Sequence, residues 1–154
     1  MPHIHEKIDF TVEVFVVYKN KVLLRIHDKH KIWLSVGGHI ELSEDPMQAA
    51  IREVKEEVGL DVKIIGAKPP LDDEFDYKHL IAPRYLGCHY VNDTHKHITF
   101  VYFAISSSDK IKESVMEHEQ METHWATSEE LEKMGLRPNV LFYAQEALKE
   151  LGKR

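Results

Sequence analysis

The segment from Asp45 to Gly59 is bracketed at both ends by residues that fix a helix. Asp45 suits the N-cap, Pro46 the first helical position and Gly59 the left-handed stop, so the spacing predicts a helix over Pro46 to Val58. Inside it the stretch REVKEEVGL, Arg52 to Leu60, places three glutamates within five residues. At about 100° per residue, Glu53, Glu56 and Glu57 stand at i, i+3 and i+4 on one face. Met47, Ile51, Val54 and Val58 form an apolar face roughly 130° away.

Two readings of that acidic face compete: a solvated surface, or a seat for a cation. In an exposed helix a like-charge pair costs only about 0.2–0.5 kcal/mol. In a partly buried cleft, each pair at about 6 Å and an effective dielectric of about 20 costs roughly 3 kcal/mol. Carboxylates gathered there take up protons unless a cation neutralises them. The preceding segment favours the cleft. Gly37-Gly38 reads as a turn whose bare backbone lets a carbonyl approach a ligand, and Glu41 and Glu44 add carboxylates on the way into the helix. Arg52, four residues before Glu56, is placed to hold that carboxylate. A donor set of carboxylates and a carbonyl favours a hard ion such as Mg²⁺ or Mn²⁺ over zinc.

The rest of the chain reads as strands with two further helices. TVEVFVVYKNKVLLRIH is a hairpin turning at Lys19-Asn20-Lys21, and KIWLSVGGHIEL a short apolar run followed by the Gly-Gly turn and an alternating segment. DVKIIGA, YLGCHYV, ITFVYFAI and METHWAT read as strands, NDTHKH as a turn, and residues 68–84, with three prolines, as a long loop. Ser128 to Met134 reads as a short helix capped by Thr127 or Ser128. Pro138 to Leu151 reads as an amphipathic helix with Val140, Leu141, Ala144, Ala147, Leu148 and Leu151 on one stripe. With antiparallel hairpins dominating, the layers are expected to stack as helix, sheet, helix, in one domain over residues 1–154.

A net charge of −6 argues against a protein that grips long nucleic acid, but not against a small phosphorylated ligand neutralised by a divalent cation. The N-terminal MPHIHEKIDF has no signal-peptide run, and the apolar stretch Phe10 to Tyr18, broken by Glu13, is too short to span a bilayer. The expectation is a cytoplasmic protein without membrane contact. The single cysteine, Cys88, suits a reducing compartment and reads as a small core residue. The eleven histidines are scattered without a zinc-motif spacing, although His95 and His97, two apart, would share a face on a strand.

Gly38, five residues, Glu44, seven residues, then Arg52-Glu53-Val54-Lys55-Glu56-Glu57-Val58-Gly59-Leu60 resembles the Nudix box, with every fixed position filled. The resemblance covers most of the chain, since the strands before the box and HWATSEELEKMGLRPN after it also look like a Nudix domain. It implies an α/β/α sandwich around a mixed sheet, and hydrolysis of a nucleoside diphosphate linked to some moiety by water attack at phosphorus. Carried over, it implies that Glu53, Glu56 and Glu57 with the Gly37 carbonyl hold Mg²⁺ or Mn²⁺, that Arg52 orients the glutamates, and that Glu44 and Gly38 support the loop. The base is either Glu53 or a glutamate of MEHEQMETHW, where Glu119 is preferred over Glu117 and Glu122. Val36 departs from the family, many of whose members have proline there.

Outside the box the signals are weaker, and each has a plain alternative. His39 is a candidate for phosphate or metal-bound water. Arg25 is a phosphate-binding candidate or a solvated strand-end residue, and Asn139 a base-reading candidate or a helix cap. The spacing of Tyr77 from the box resembles that of members acting on diadenosine polyphosphates, against a packing or surface role, and Trp33 and Trp125 read as core more than as base-stacking platforms. The expected function is Mg²⁺-dependent hydrolysis of a phosphoanhydride bond in a small nucleotide, by a monomer or homodimer. The alternatives are a non-catalytic nucleotide sensor, or hydrolysis of RNA 5′ ends or dinucleoside polyphosphates.

Overall fold

The computed structural model describes residues 4–27, 31–112 and 121–152. In chain order the elements are β1 (Ile8–Tyr18), β2 (Lys21–His27), β3 (Ile32–Leu34), β4 (Val36–His39), α1 (Pro46–Val58), β5 (Val62–Ile65), β6 (Tyr85–Tyr90), β7 (Lys96–Ser106), β8 (Met121–Ala126), α2 (Ser128–Leu131) and α3 (Pro138–Leu151). The strands form one mixed sheet in the order β3-β2-β1-β7-β5, with β4 on β1, β6 on β7 and β8 on β2. Its axis is the parallel pair β1 and β7, in register from Ile8 opposite Lys96 to Val17 opposite Ile105. The hairpins expected from the sequence are present, yet the longest pairing is this parallel one, between strands far apart in the chain.

The side-chain period of two assigns each face of the sheet to one helix layer. Val12, Val14 and Val16 of β1, Leu23 of β2, Val36 of β4 and Tyr102 of β7 pack under Ala50, Val54 and Val58 of α1. Phe15 and Val17 of β1, with Val101 and Phe103 of β7, meet Val140, Ala144 and Leu151 of α3 on the other face. The arrangement is the expected α/β/α sandwich. No helix among the described residues is long and apolar enough to cross a membrane.

The helix signals hold to the residue in α1 and α3, but α2 ends at Leu131 rather than Met134, because the chain tightens into i→i+3 turns (Lys133 N–H to the Glu130 carbonyl, Met134 N–H to that of Leu131) before Gly135. Asp45 accepts the Gln48 N–H while the Gln48 side chain accepts the Asp45 N–H, a reciprocal cap, and Gly59 takes φ 72° at the other end. Thr127 caps α2 in the same way, with Glu130. Three further expectations are corrected. Gly37 and Gly38 lie in strand β4, opposite Glu13 and Val12, rather than in a turn. Ile51 is exposed, because the buried stripe of α1 runs through Ala49, Ala50, Glu53, Val54, Glu57 and Val58 and so includes two of the glutamates. Cys88 is exposed, because among the described residues β6 pairs with β7 alone and lies at the edge of that pair.

Removing the Asp45 side chain unsatisfies the first turn of α1, so Asp45→Ala is expected to destabilise the fold by about 1 kcal/mol, read from urea unfolding. An unchanged midpoint would show that the cap contributes nothing.

Candidate active site

Because α1 lies flat on the sheet, its acidic face is split between core and solvent. Glu53 is 3% exposed and Glu57 9%, whereas the Glu56 side chain is 59% exposed. Burial pushes the Glu53 carboxyl above its ordinary value, opposed in turn by a hydrogen bond shared with Glu57 and by the charge of Arg52. Two buried carboxylates within hydrogen-bond reach are the situation a cation relieves. Their all-oxygen chemistry fits the hard divalent ion expected from the sequence.

Two guanidinium groups hold the carboxylates in place. Arg52 Nη2 donates to Glu44 Oε1 (2.6 Å) and to the His39 carbonyl (2.9 Å), and its Nε donates to Glu44 Oε2 (3.0 Å). Its Nη1 donates to Glu53 Oε1 (3.0 Å) and Glu56 Oε2 (3.1 Å). The Glu44 carboxyl is held below its ordinary value chiefly by this contact, and the guanidinium correspondingly above its own. Arg25, in β2, is 4% exposed and Nη1 donates to Glu57 Oε2. It is not the solvated strand-end residue that one reading of the sequence allowed; β-strand alternation turns it under α1 beside Leu23.

The glycines of β4 fit the site by what they lack. A Cβ on Gly38 would lie 2.4–2.8 Å from the three carboxylate atoms of Glu53, and one on Gly37 would lie 2.1 Å from the Val12 carbonyl oxygen. Neither has a positive φ, so close approach is what demands glycine here, not a turn conformation.

On the opposite face of the sheet, β1, β4, β7 and the start of α3 border a cleft of about 640 Å³. Glu13, His39, His97, Arg137 and Asn139 line it, as do both glycines. Asn139 is not a cap: it is the second residue of α3, whose N-cap Arg137 makes no side-chain capping bond. His39 lies with Nε2 3.3 Å from Asp9 Oδ2 and its ring edge-on to His97, on the cleft side of β4. Tyr77 stands exposed in the 68–84 loop against the His79 ring. Glu122 pairs opposite Ile26 and is exposed, and the alternation that directs Trp125, three residues on, to the α1 core turns Glu122 to the other face. Glu117 and Glu119 lie outside the described residues.

Sequence reasoning treated Glu13 only as an interruption of an apolar run. The structure puts it in the cleft, partly buried, accepting from the Ser35 hydroxyl at 3.3 Å. A lone carboxylate at a position of inward period was the available signal. Arg137 carried none, since only the placement of α3 brings it to the cleft.

Fold and site together define a sandwich protein with buried helix carboxylates on one face of its sheet and a ligand-sized cleft on the other. The NUDIX domain model matches residues 9–145. A NUDIX-family hydrolase from Clostridium perfringens is 37% identical, with TM-score 0.79, over 93% of this chain and 97% of that one. An Ap4A hydrolase from C. elegans shares the fold at 18% identity, with TM-score 0.68, over 95% of this chain and 99% of that one. A mutator MutT protein from Bacillus halodurans does so at 16%, with TM-score 0.60, over 91% and 82%. The chain belongs to the Nudix family, pyrophosphohydrolases that generally act on nucleoside diphosphate derivatives and generally use divalent metals.

Burial pushes the Glu13 carboxyl up, against a smaller lowering by Ser35. Below the unfolded-state value it is protonated in both states. As pH rises the unfolded chain ionises first, so stability falls until the folded value is passed and stays lowered above it. Glu13→Gln escapes that loss. Its urea midpoint relative to wild type is expected to be higher at pH 7 than at pH 4; an equal difference at both would contradict the burial of this charge.

Proposed function

We propose that this protein hydrolyses a phosphoanhydride bond in a small nucleotide, a nucleoside triphosphate or a nucleoside diphosphate linked to another group, with Mg²⁺ or Mn²⁺ as cofactor. The observation that carries the reading is the convergence of buried Glu53 and Glu57 with exposed Glu56 on one helix face, against a strand that glycine leaves bare. Glu53, Glu56 and Glu57, with the Gly37 carbonyl, would hold the cation. When bound it supplies positive charge to the phosphate oxygens and lowers the pKa of water.

The chain's own groups do the rest. Glu53, whose affinity for a proton is raised by burial, accepts the proton of the attacking water as oxygen bonds to phosphorus and the bridging oxygen leaves with the bond electrons. Arg52 holds one Glu53 oxygen by a hydrogen bond. Glu44 anchors Arg52 in turn, and Arg25 neutralises Glu57. Glu119 is the alternative base. The cleft would take the nucleoside, with Asn139 available to the base and Arg137 to negative charge. Both glycines reach the cleft, and Gly38 abuts Glu53, which supports a path for the diphosphate between the two faces.

Glu56 separates function from folding, because its exposed side chain contributes little to stability. Glu56→Gln is expected to change the unfolding free energy by less than about 0.5 kcal/mol. It should lower turnover by about 10²-fold or more in a chromatographic screen of nucleoside triphosphates, nucleotide sugars and dinucleoside polyphosphates, the scale of losing one electrostatic stabiliser. EDTA should abolish turnover in the wild type. Turnover that survives both changes would remove the glutamates from the chemistry, and tight nucleotide binding without product would favour a sensor.

A further inference from the structure

Three imidazoles and a carboxylate meet where β1 and β7 begin, on the face of the sheet away from α1. Asp9 sits opposite His97 in the parallel register, His95 precedes His97 by two, and His39 pairs opposite Thr11, two residues after Asp9. Donor atoms of Asp9, His95 and His97 lie within 4.8 Å of one another, and Asp9 is 1% and His95 5% exposed. None of these residues belongs to the acidic helix.

The geometry of the contacts has a specific length. His95 Nε2 is 3.4 Å and His39 Nε2 3.3 Å from the same oxygen, Asp9 Oδ2. A charge-assisted N–H···O bond would be about 2.7–2.9 Å. Two donors each about 2.0–2.1 Å from a tetrahedrally coordinated ion lie about 3.3 Å apart, the edge of the tetrahedron. The outer contacts orient the donors as metal ligands are oriented. The Glu6 carbonyl accepts from His95 Nδ1 (2.8 Å), which fixes that proton and turns Nε2 toward Asp9. The backbone N–H of His5 donates to Asp9 Oδ1 (2.6 Å) and that of Ile4 to Oδ2 (3.1 Å).

We propose that Asp9, His95 and His97 bind a divalent transition-metal ion of the zinc class, with His39 closing the coordination from β4. Imidazole nitrogen selects such an ion over the hard Mg²⁺ or Mn²⁺ suited to the carboxylates of α1. The ion ties the first strand to the start of β7 and to the end of β4. His39 and His97 also line the cleft, so the site stands at its border.

The test uses the full chain, stripped of metal and then equilibrated with Zn²⁺ or with Co²⁺ as a spectroscopic probe. A single equivalent of Zn²⁺ should be retained through gel filtration, in excess Mg²⁺ and equally in Glu56→Gln. The Co²⁺ form should show the intense visible bands of four-coordination. His95→Gln and Asp9→Asn should weaken Zn²⁺ binding by more than about 100-fold, beyond what changes to outer-shell groups cost. They should also lose the rise in Tm that Zn²⁺ gives the wild type. If these variants do not fold, ring ¹⁵N shifts of the wild type decide, since Zn²⁺ should move the Nε2 signal of His95 while Nδ1 keeps its proton. Retention that fails in Glu56→Gln or excess Mg²⁺ but survives in His95→Gln would overturn the proposal. So would the absence of retained Zn²⁺ together with unmoved histidine signals, which is the result for a polar cluster held by protons alone.

Discussion

Burying Glu53 and Glu57 beneath α1 is the constraint on which the rest of the site depends. A helix whose polar face simply met water would need no Arg25, no Arg52 bracket and no glycine on the neighbouring strand. Here the apolar stripe that seats the helix on β1 and β4 passes through both carboxylates. Each therefore requires a compensating charge in a place water hardly reaches. Arg25 from β2 answers Glu57, and Arg52 from the helix itself answers Glu53 while taking its own support from Glu44 and the His39 carbonyl. The remaining burden shows in the Glu53 carboxyl, which burial pushes above its ordinary value despite the Arg52 charge beside it.

Gly38 permits this closeness. A methyl group there would occupy the Glu53 carboxylate, so helix and strand would separate or the carboxylate would swing out of the bracket. The same strand places His39 on the other face, and Arg52 grips the His39 backbone carbonyl. β4 thus joins the acidic helix to the cleft through one residue.

How much of this was legible in the sequence depends on how local each cause is. The bounds of α1 were readable because Asp45, Pro46 and Gly59 act on their own turns. The fold class followed from alternating strands and amphipathic helices, and the spacing from Gly38 to Leu60 carried the family. Gly37 and Gly38 were misread as a turn because glycine's local meaning is conformational, whereas here its meaning is a contact with residues 15 and 25 positions away. Arg25 paired with Glu57, and Glu13 and Asn139 lining one cleft, were illegible for the same reason. The two-residue spacing of His95 and His97 did indicate a shared face. Asp9 and His39 join them only through the parallel pairing of β1 with β7 and the return of β4, which no local pattern announces.

The central claim is that the glutamates of α1 form a cation seat, and anomalous scattering from crystals soaked in Mn²⁺ tests it most directly. The account predicts a peak bonded to carboxylate oxygens of Glu53, Glu56 and Glu57, with the Arg52 bracket intact beside it. Manganese found elsewhere while those carboxylates keep only their arginine partners would contradict it.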